Sequence, residues 1–326
     1  MSKASKILVS GCAGFIGSHL CERLLSDGYH VIGIDNFDPF YPRDVKENNL
    51  SHFVNNKDFT FAEIDICDSN GLSSLDLDGV DLIAHIAAKA GVRPSIIDPQ
   101  SYIDVNLQGT NNILELMVKK KIEKLFFASS SSIYGNQKEI PFKEKEIDYQ
   151  PISPYAFTKR SCELMNYTYH HLHKLDIINA RFFTVYGPRQ RPDLAIHKFV
   201  KLIDEGRSIP MFGDGSTARD YTYISDTIDG IMGSIKHLQK NVNVFETYNL
   251  GNNSPVVLRD MIEIIANVLG KKVKIDNLPM QEGDVDITYA DINKAYRLIR
   301  YKPKVKIEEG VAKFVKWYKD QKKIEA

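Results

Sequence analysis

The chain lacks nearly everything that would assign it to a membrane, a nucleic acid or an oxidising compartment. No apolar run approaches the ~20 residues that a spanning helix needs. The N-terminus has no signal-peptide h-region, because an apolar strand begins at Lys6. Neither charge sign is in excess: 42 Lys plus Arg balance 42 Asp plus Glu. That removes the electrostatic case for nucleic acid or anionic lipid as partner. Cysteine is scarce, and Cys12, Cys21, Cys67 and Cys162 show no paired spacing. They read as reduced and structural, which suits the cytoplasm. Repeats and low-complexity segments are absent. A metal site is not expected either, since His170, His171 and His173 stand at i, i+1 and i+3 and do not converge from one helix face. At 326 residues the chain can still bury a large core, as one large or two moderate domains.

What is present is an alternation of strand and helix signals, which implies an α/β fold with a doubly wound parallel sheet. Strands are expected at 6–10, 30–34, 59–64, 80–84, 124–128 and 176–181. Long helices are expected at 99–120 and at 154–174, the latter with Ser153 as N-cap and Pro154 at its first position. From Phe182 the pattern loosens and glycine and proline become frequent. Residues 1–181 thus read as a dinucleotide-binding domain to which 223–250 returns, and 182–326 as mainly a smaller C-terminal α/β substrate-binding domain.

Gly11, Gly14 and Gly17 follow the first strand in S-G-C-A-G-F-I-G, before an amphipathic helix. Glycines let the turn close tightly and let backbone approach a pyrophosphate, while the helix N-terminus supplies amide donors. A plain glycine turn would look the same, but the second strand ends in Asp35, about twenty residues on, where an acid grips ribose hydroxyls. An acid there repels a 2′-phosphate, so NAD is expected rather than NADP.

Tyr155 and Lys159 lie four apart in S-P-Y-A-F-T-K and project from one helix face. An ammonium beside a phenol favours the phenolate and makes a usable general base. Upstream, Ser129 to Ser132 follow the fifth strand, at the carboxyl end of the sheet where ligands bind. A hydroxyl there can hold a substrate oxygen and share its proton with the tyrosine.

Together S-G-C-A-G-F-I-G, the serine run before I-Y-G, Y-A-F-T-K and R-F-F-T-V-Y-G-P-R resemble the extended short-chain dehydrogenase/reductase family over essentially the whole chain. Within it the chain is most similar to nucleotide-sugar 4-epimerases, and R-F-F-T-V-Y-G-P-R-Q-R-P-D-L-A-I-H-K-F resembles the UDP-glucuronate 4-epimerases. The resemblance implies a Rossmann-type domain, tightly held NAD, a UDP-sugar substrate and a homodimer through the two long helices. It implies Ser130 as the catalytic hydroxyl, Tyr155 as the base and Lys159 as its helper. For the cofactor it implies Phe15 and Ile16 of the glycine loop, Asn36 beside Asp35, and Asp65 and Ile66 near the adenine. Ala87, Ala88 and Lys89 would run along it, with Asn106 in support, Ser129 beside the catalytic serine and Phe182 near the nicotinamide. For the substrate it implies Ser131, Asp284 of G-D-V, and Arg219 on the diphosphate. Phe212 either flanks the uracil or packs.

Departures from related patterns sharpen this. Dehydratases and UDP-glucuronate decarboxylases of the family carry an acid where this chain has Ser132. A second phosphate arginine of UDP-galactose 4-epimerases is replaced by Gln281, and a bulky gate tyrosine by Thr288. A smaller gate leaves room for a charged sugar. Thr184 and Arg191, with Arg93 behind them, are the candidates to hold a uronate carboxylate, since an arginine fork clamps a carboxylate at two points. The alternatives are a UDP-glucose or UDP-N-acetylglucosamine 4-epimerase, a UDP-glucuronate decarboxylase, or a non-catalytic dinucleotide-binding sensor.

Overall fold

The apolar runs of the first half become neighbours in one sheet. A computed structural model describes residues 5–145, 150–280 and 285–324. Its strands are β1 (Lys6–Ser10), β2 (His30–Asp35), β3 (Phe59–Glu63), β4 (Val80–His85), β5 (Lys124–Ser130) and β6 (Asp176–Phe182). A seventh, Phe245–Leu250, pairs with β6, and every pairing is parallel. The order from that edge is Phe245–Leu250, β6, β5, β4, β1, β2, β3. The chain therefore winds one way from β1 to β3 and the other way from β4, which opens a crevice outside the carboxyl ends of β1 and β4.

Side-chain alternation sends successive strand residues to opposite faces. Ile7 and Val9 join Leu82, Phe126 and Ile178 in the core beneath the helices Phe15–Ser26 and Ile224–Lys240. Leu8 joins Ile83, Leu125, Phe127 and Ile177 on the other face, beneath Gly109–Lys120 and Pro154–His173. Both faces are covered, which is why the strand centres are largely apolar.

The helix expected over 99–120 is interrupted. Pro99–Tyr102 and Gly109–Lys120 flank a π-helical turn at Ile103–Gln108. The wider turn carries Asn106, whose side chain bonds outside the helix on both its oxygen and its nitrogen. Those tertiary bonds settle a local geometry that periodicity cannot register. The helix expected over 154–174 is Pro154–His173, capped by Ser153 Oγ accepting from the Ala156 amide at 3.1 Å, with Lys174 left-handed at φ 58°.

Beyond β6 the chain continues into Thr184–Tyr186, which pairs with Ala218–Tyr223, itself paired with Pro255–Val257. Ile209–Phe212 pairs with Ile275–Leu278. The first of these sheets follows directly on β6, and Thr184, Val185 and Arg219 from it line the crevice. No helix among the described residues is long and apolar enough to cross a membrane.

Candidate active site

The crevice is a cavity of about 490 Å³ whose wall runs from the glycine loop to Arg219. Two glycines show why the loop needs them. Gly11 sits at φ 74° with its absent Cβ 2.9 Å from Ala87 Cα, and a Cβ on Gly17 would lie 2.0 Å from the Gly11 carbonyl oxygen. The helix after the loop starts at Gly14 with no side-chain cap. Its first-turn amides are left for an anion from outside the chain.

Asp35, at the end of β2, is buried and oriented by the loop it serves. It accepts from the Ala13 amide at 3.1 Å and from the Phe37 amide at 2.9 Å. Asn36 donates to Asp65 at 2.8 Å, which ties the ends of β2 and β3 together. Asn106 accepts from the Lys89 amide at 2.8 Å and donates to the Lys89 carbonyl at 3.0 Å and to Thr158 Oγ1 at 3.0 Å. Asn106 thus stands behind the wall and splints Ala87, Ala88 and Lys89 to the helix bearing Tyr155. Phe15, Ile16, Ile66, Ser129 and Phe182 also line the cavity. A narrow glycine cradle, an uncapped helix start and an acid at the second strand's end fit a dinucleotide with free ribose hydroxyls.

Tyr155 lies in the first turn of its helix, half-buried, against Ser130 at the end of β5. Burial raises the phenol above its ordinary value, while the Ser130 hydrogen bond and then the Arg191 charge work against that rise. Lys159, expected as the helper of the phenol, is anchored to the end of β5. Lys159 Nζ donates to the Ala128 carbonyl at 2.8 Å and lies over the Phe127 ring, 4.9 Å from its centroid. Burial pulls the ammonium down to about 8, against Cys162 and Glu163. One turn on, Glu163 accepts from Ser129 Oγ at 2.6 Å and takes the Arg181 fork at 2.9 and 2.8 Å. Burial pushes Glu163 up, but Arg181 outweighs it and holds the carboxyl below its ordinary range. The catalytic helix is therefore fastened to the last residues of β5 at two successive levels, Lys159 on Ala128 and Glu163 on Ser129.

Ser131, Thr184, Arg191, Arg219 and Thr288 also line the cavity. The Ser132 hydroxyl also lines the cavity, buried and with no partner among the described residues. Arg93 and Phe212 do not line it: the Arg93 guanidinium stacks on the Phe212 ring, 5.1 Å from its centroid, so packing occupies that aromatic face. Asp284 and Gln281 lie outside the described residues.

Sequence reasoning missed Lys46, Phe40 and Tyr41, all of which line the cavity. Lys46 is buried, 3.5 Å from Asp35 and above the Tyr41 ring. Its helix, Arg43–Ser51, is almost wholly polar, so no apolar periodicity marked it as packed.

The chain matches the family model described as GDP-mannose 4,6 dehydratase over residues 8–314. It is 43% identical over 315 residues to a UDP-glucuronate 4-epimerase of Thermodesulfobacterium geofontis, covering 96% of each chain. Among solved structures it is similar to the UDP-glucuronic acid 4-epimerase of Bacillus cereus in complex with UDP-glucuronic acid and NAD. There the TM-score is 0.92 at 38% identity, covering 97% of this chain and 99% of that one. It is also similar to a UDP-glucose 4-epimerase of Thermotoga maritima with UDP-glucose, with TM-score 0.88 at 29% identity and the same coverage.

Proposed function

The chain belongs to the GDP-mannose 4,6 dehydratase family of extended short-chain dehydrogenase/reductases, and from that premise we propose that it is an NAD-dependent UDP-glucuronate 4-epimerase. It would invert carbon 4 through a 4-keto sugar. The observation that carries the reading is the Tyr155–Ser130 contact at the cavity wall, with the hydroxyl of Ser132 in place of an acid and Arg191 acting on the same phenol.

NAD, held by the glycine loop and Asp35, would supply a hydride acceptor for carbon 4 and a hydride for the opposite face of the 4-keto sugar. The residues of this chain manage the proton and the pose. Tyr155 takes the 4-hydroxyl proton and returns a proton to that oxygen once the 4-keto sugar has turned its other face to the hydride, and Ser130 holds the oxygen while it is a carbonyl. Ser132 cannot shuttle a proton as an acid would, so it does not promote elimination or loss of the carboxyl group. The uronate carboxylate is β to the new ketone, a geometry prone to losing carbon dioxide. In this reading Arg191 and Thr184 hold it, and Arg219 takes the diphosphate. A carboxylate held in one orientation cannot turn its C–C bond perpendicular to the carbonyl plane.

The test is Arg191→Ala assayed on UDP-glucuronate and UDP-glucose. A lost charge-assisted hydrogen bond, worth roughly 1.5–3 kcal/mol, lowers turnover of the uronate about ten- to a hundredfold more than that of the neutral sugar. Equal losses would assign Arg191 to the nucleotide and leave the uronate unsupported.

We further read the chain as a cytoplasmic homodimer with the dinucleotide-binding and substrate-binding division given above. Free cysteines suit a reducing compartment. Phe157, Leu164, Tyr167 and Leu172 are exposed along one long helix, and Ile97, 85% exposed, precedes the other. An apolar face of this kind marks an association surface. Sedimentation at the monomer mass would refute the dimer.

A further inference from the structure

The loop that presents Arg191 has its backbone fixed on both sides. Gly187 stands at φ 142°, and Arg189 at φ 65° is held in the left-handed region. Arg189 is buried, reaches Ser18 Oγ at 3.2 Å and pairs with Glu22 on the helix of the glycine loop. The Gln190 amide donates to the Gly187 carbonyl at 3.1 Å, and the Gln190 carbonyl lies 2.7 Å from His197 Nδ1. What this leaves free is the Arg191 side chain, whose long stem has many rotamers.

Asp193 takes up that freedom. Arg191 Nε donates to Oδ1 at 2.9 Å and Nη2 to Oδ2 at 2.8 Å, a two-point fork along one edge of the guanidinium. The fork is completed by a 3.4 Å bond from Nη2 to the Ala90 carbonyl and by the Phe40 ring, whose centroid is 4.8 Å from Cζ. Nη1 bonds to nothing among the described residues. The acid stands at the rim, its side chain 42% exposed, whereas the Arg191 side chain is 15% exposed and lines the cavity. An exposed pair two residues apart ordinarily contributes little to stability. This one instead sets the direction of a cation inside a binding cavity.

We propose that Asp193 is a positioning residue that aims Arg191, occupying its Nε edge so that the Nη1 side stays turned to an anionic group on the sugar. The proposal rests on the uronate reading above and adds to it the residue that sets selectivity for charge. Asp193 touches no substrate in this account; it acts through Arg191.

The experiment measures kcat and KM of holoenzyme on UDP-glucuronate, and UDP affinity by calorimetry, for wild type, Asp193→Ala, Asp193→Glu, Arg191→Ala and the Asp193→Ala/Arg191→Ala double variant. Asp193→Ala lowers kcat/KM on UDP-glucuronate about tenfold, the worth of one misaligned charge-assisted bond, and leaves UDP affinity within twofold. Asp193→Glu recovers part of the loss. In the Arg191→Ala background the second substitution does nothing further, because the group it aims is gone. An unchanged or tighter interaction with UDP-glucuronate in Asp193→Ala overturns the proposal, since tightening would make Asp193 a competitor of the substrate. An undiminished effect in the Arg191→Ala background overturns it too. A wild type that does not turn over UDP-glucuronate sinks the functional reading and this proposal together; a wild type that does, beside an unaffected variant, sinks the proposal alone.

Discussion

Replacing Lys159 by methionine separates what the site needs from what the fold prefers. The ammonium is 4% exposed and has one described hydrogen bond, to the Ala128 carbonyl. Its pKa falls from the usual 10.5 to about 8, which at ~1.4 kcal/mol per unit is about 3 kcal/mol against the charged form at neutral pH. Lys159→Met removes that cost, keeps the apolar stem against Phe127 and leaves one carbonyl unsatisfied, a loss of about 1–3 kcal/mol. The variant should therefore be as stable as wild type at pH 7, or about 1–2 kcal/mol more stable by the same bookkeeping.

The sign with pH follows. A lysine whose folded pKa is depressed carries its full cost below the folded value. Unfolded chain binds more protons between about 8 and the usual 10.5, so wild type gains on the variant as pH rises through that window. Urea denaturation at pH 7 and pH 10, at equal nucleotide content, reads both points. Turnover should fall by about two decades or more, because the positive charge supporting proton transfer is lost. A variant destabilised by several kcal/mol at pH 7, or one that keeps near-normal turnover, would refute the reasoning.

Tyr155→Phe keeps the ring and loses the proton acceptor, so turnover should drop by about two to four decades with NAD content unchanged; near-normal turnover would remove Tyr155 from the role of base. Gly17→Ala drives a methyl to 2.0 Å from the Gly11 carbonyl oxygen, so purified protein should carry little NAD by its absorbance and enzymatic assay, and full loading would contradict the cradle. Glu163→Ala leaves Arg181 charged and buried, at a cost of about 3–5 kcal/mol, readable as a lower urea midpoint; an unchanged midpoint would mean the pair is not closed as described.

The doubly wound sheet was legible because strands buried on both faces carry short apolar stretches rather than strict alternation, as Ile7–Val9, Leu82–Ala84 and Leu125–Ala128 do. The glycine loop, Asp35, Ser130 and Tyr155 were legible because their chemistry needs those residue types at those strand ends and helix starts. The π turn at Asn106 was not, since it is settled by bonds to Lys89 and Thr158 that are distant in sequence. Lys46 escaped notice because a lysine on a polar helix looks solvated until its helix is laid over Asp35. Four-residue spacing put Lys159 and Tyr155 on one helix face but could not say where the ammonium ends, and its described hydrogen bond is to the Ala128 carbonyl. Asp193 carried no motif signal, and only its fork with Arg191 distinguishes it from any rim carboxylate.

The most direct test of the central claim is to incubate the purified protein with UDP-glucuronate and follow the sugar by proton NMR. The account predicts UDP-galacturonate growing to a stable equilibrium mixture without added nucleotide, with no pentose and no released carbon dioxide. A UDP-pentose product, or conversion of UDP-glucose or UDP-N-acetylglucosamine while UDP-glucuronate stays untouched, would contradict it.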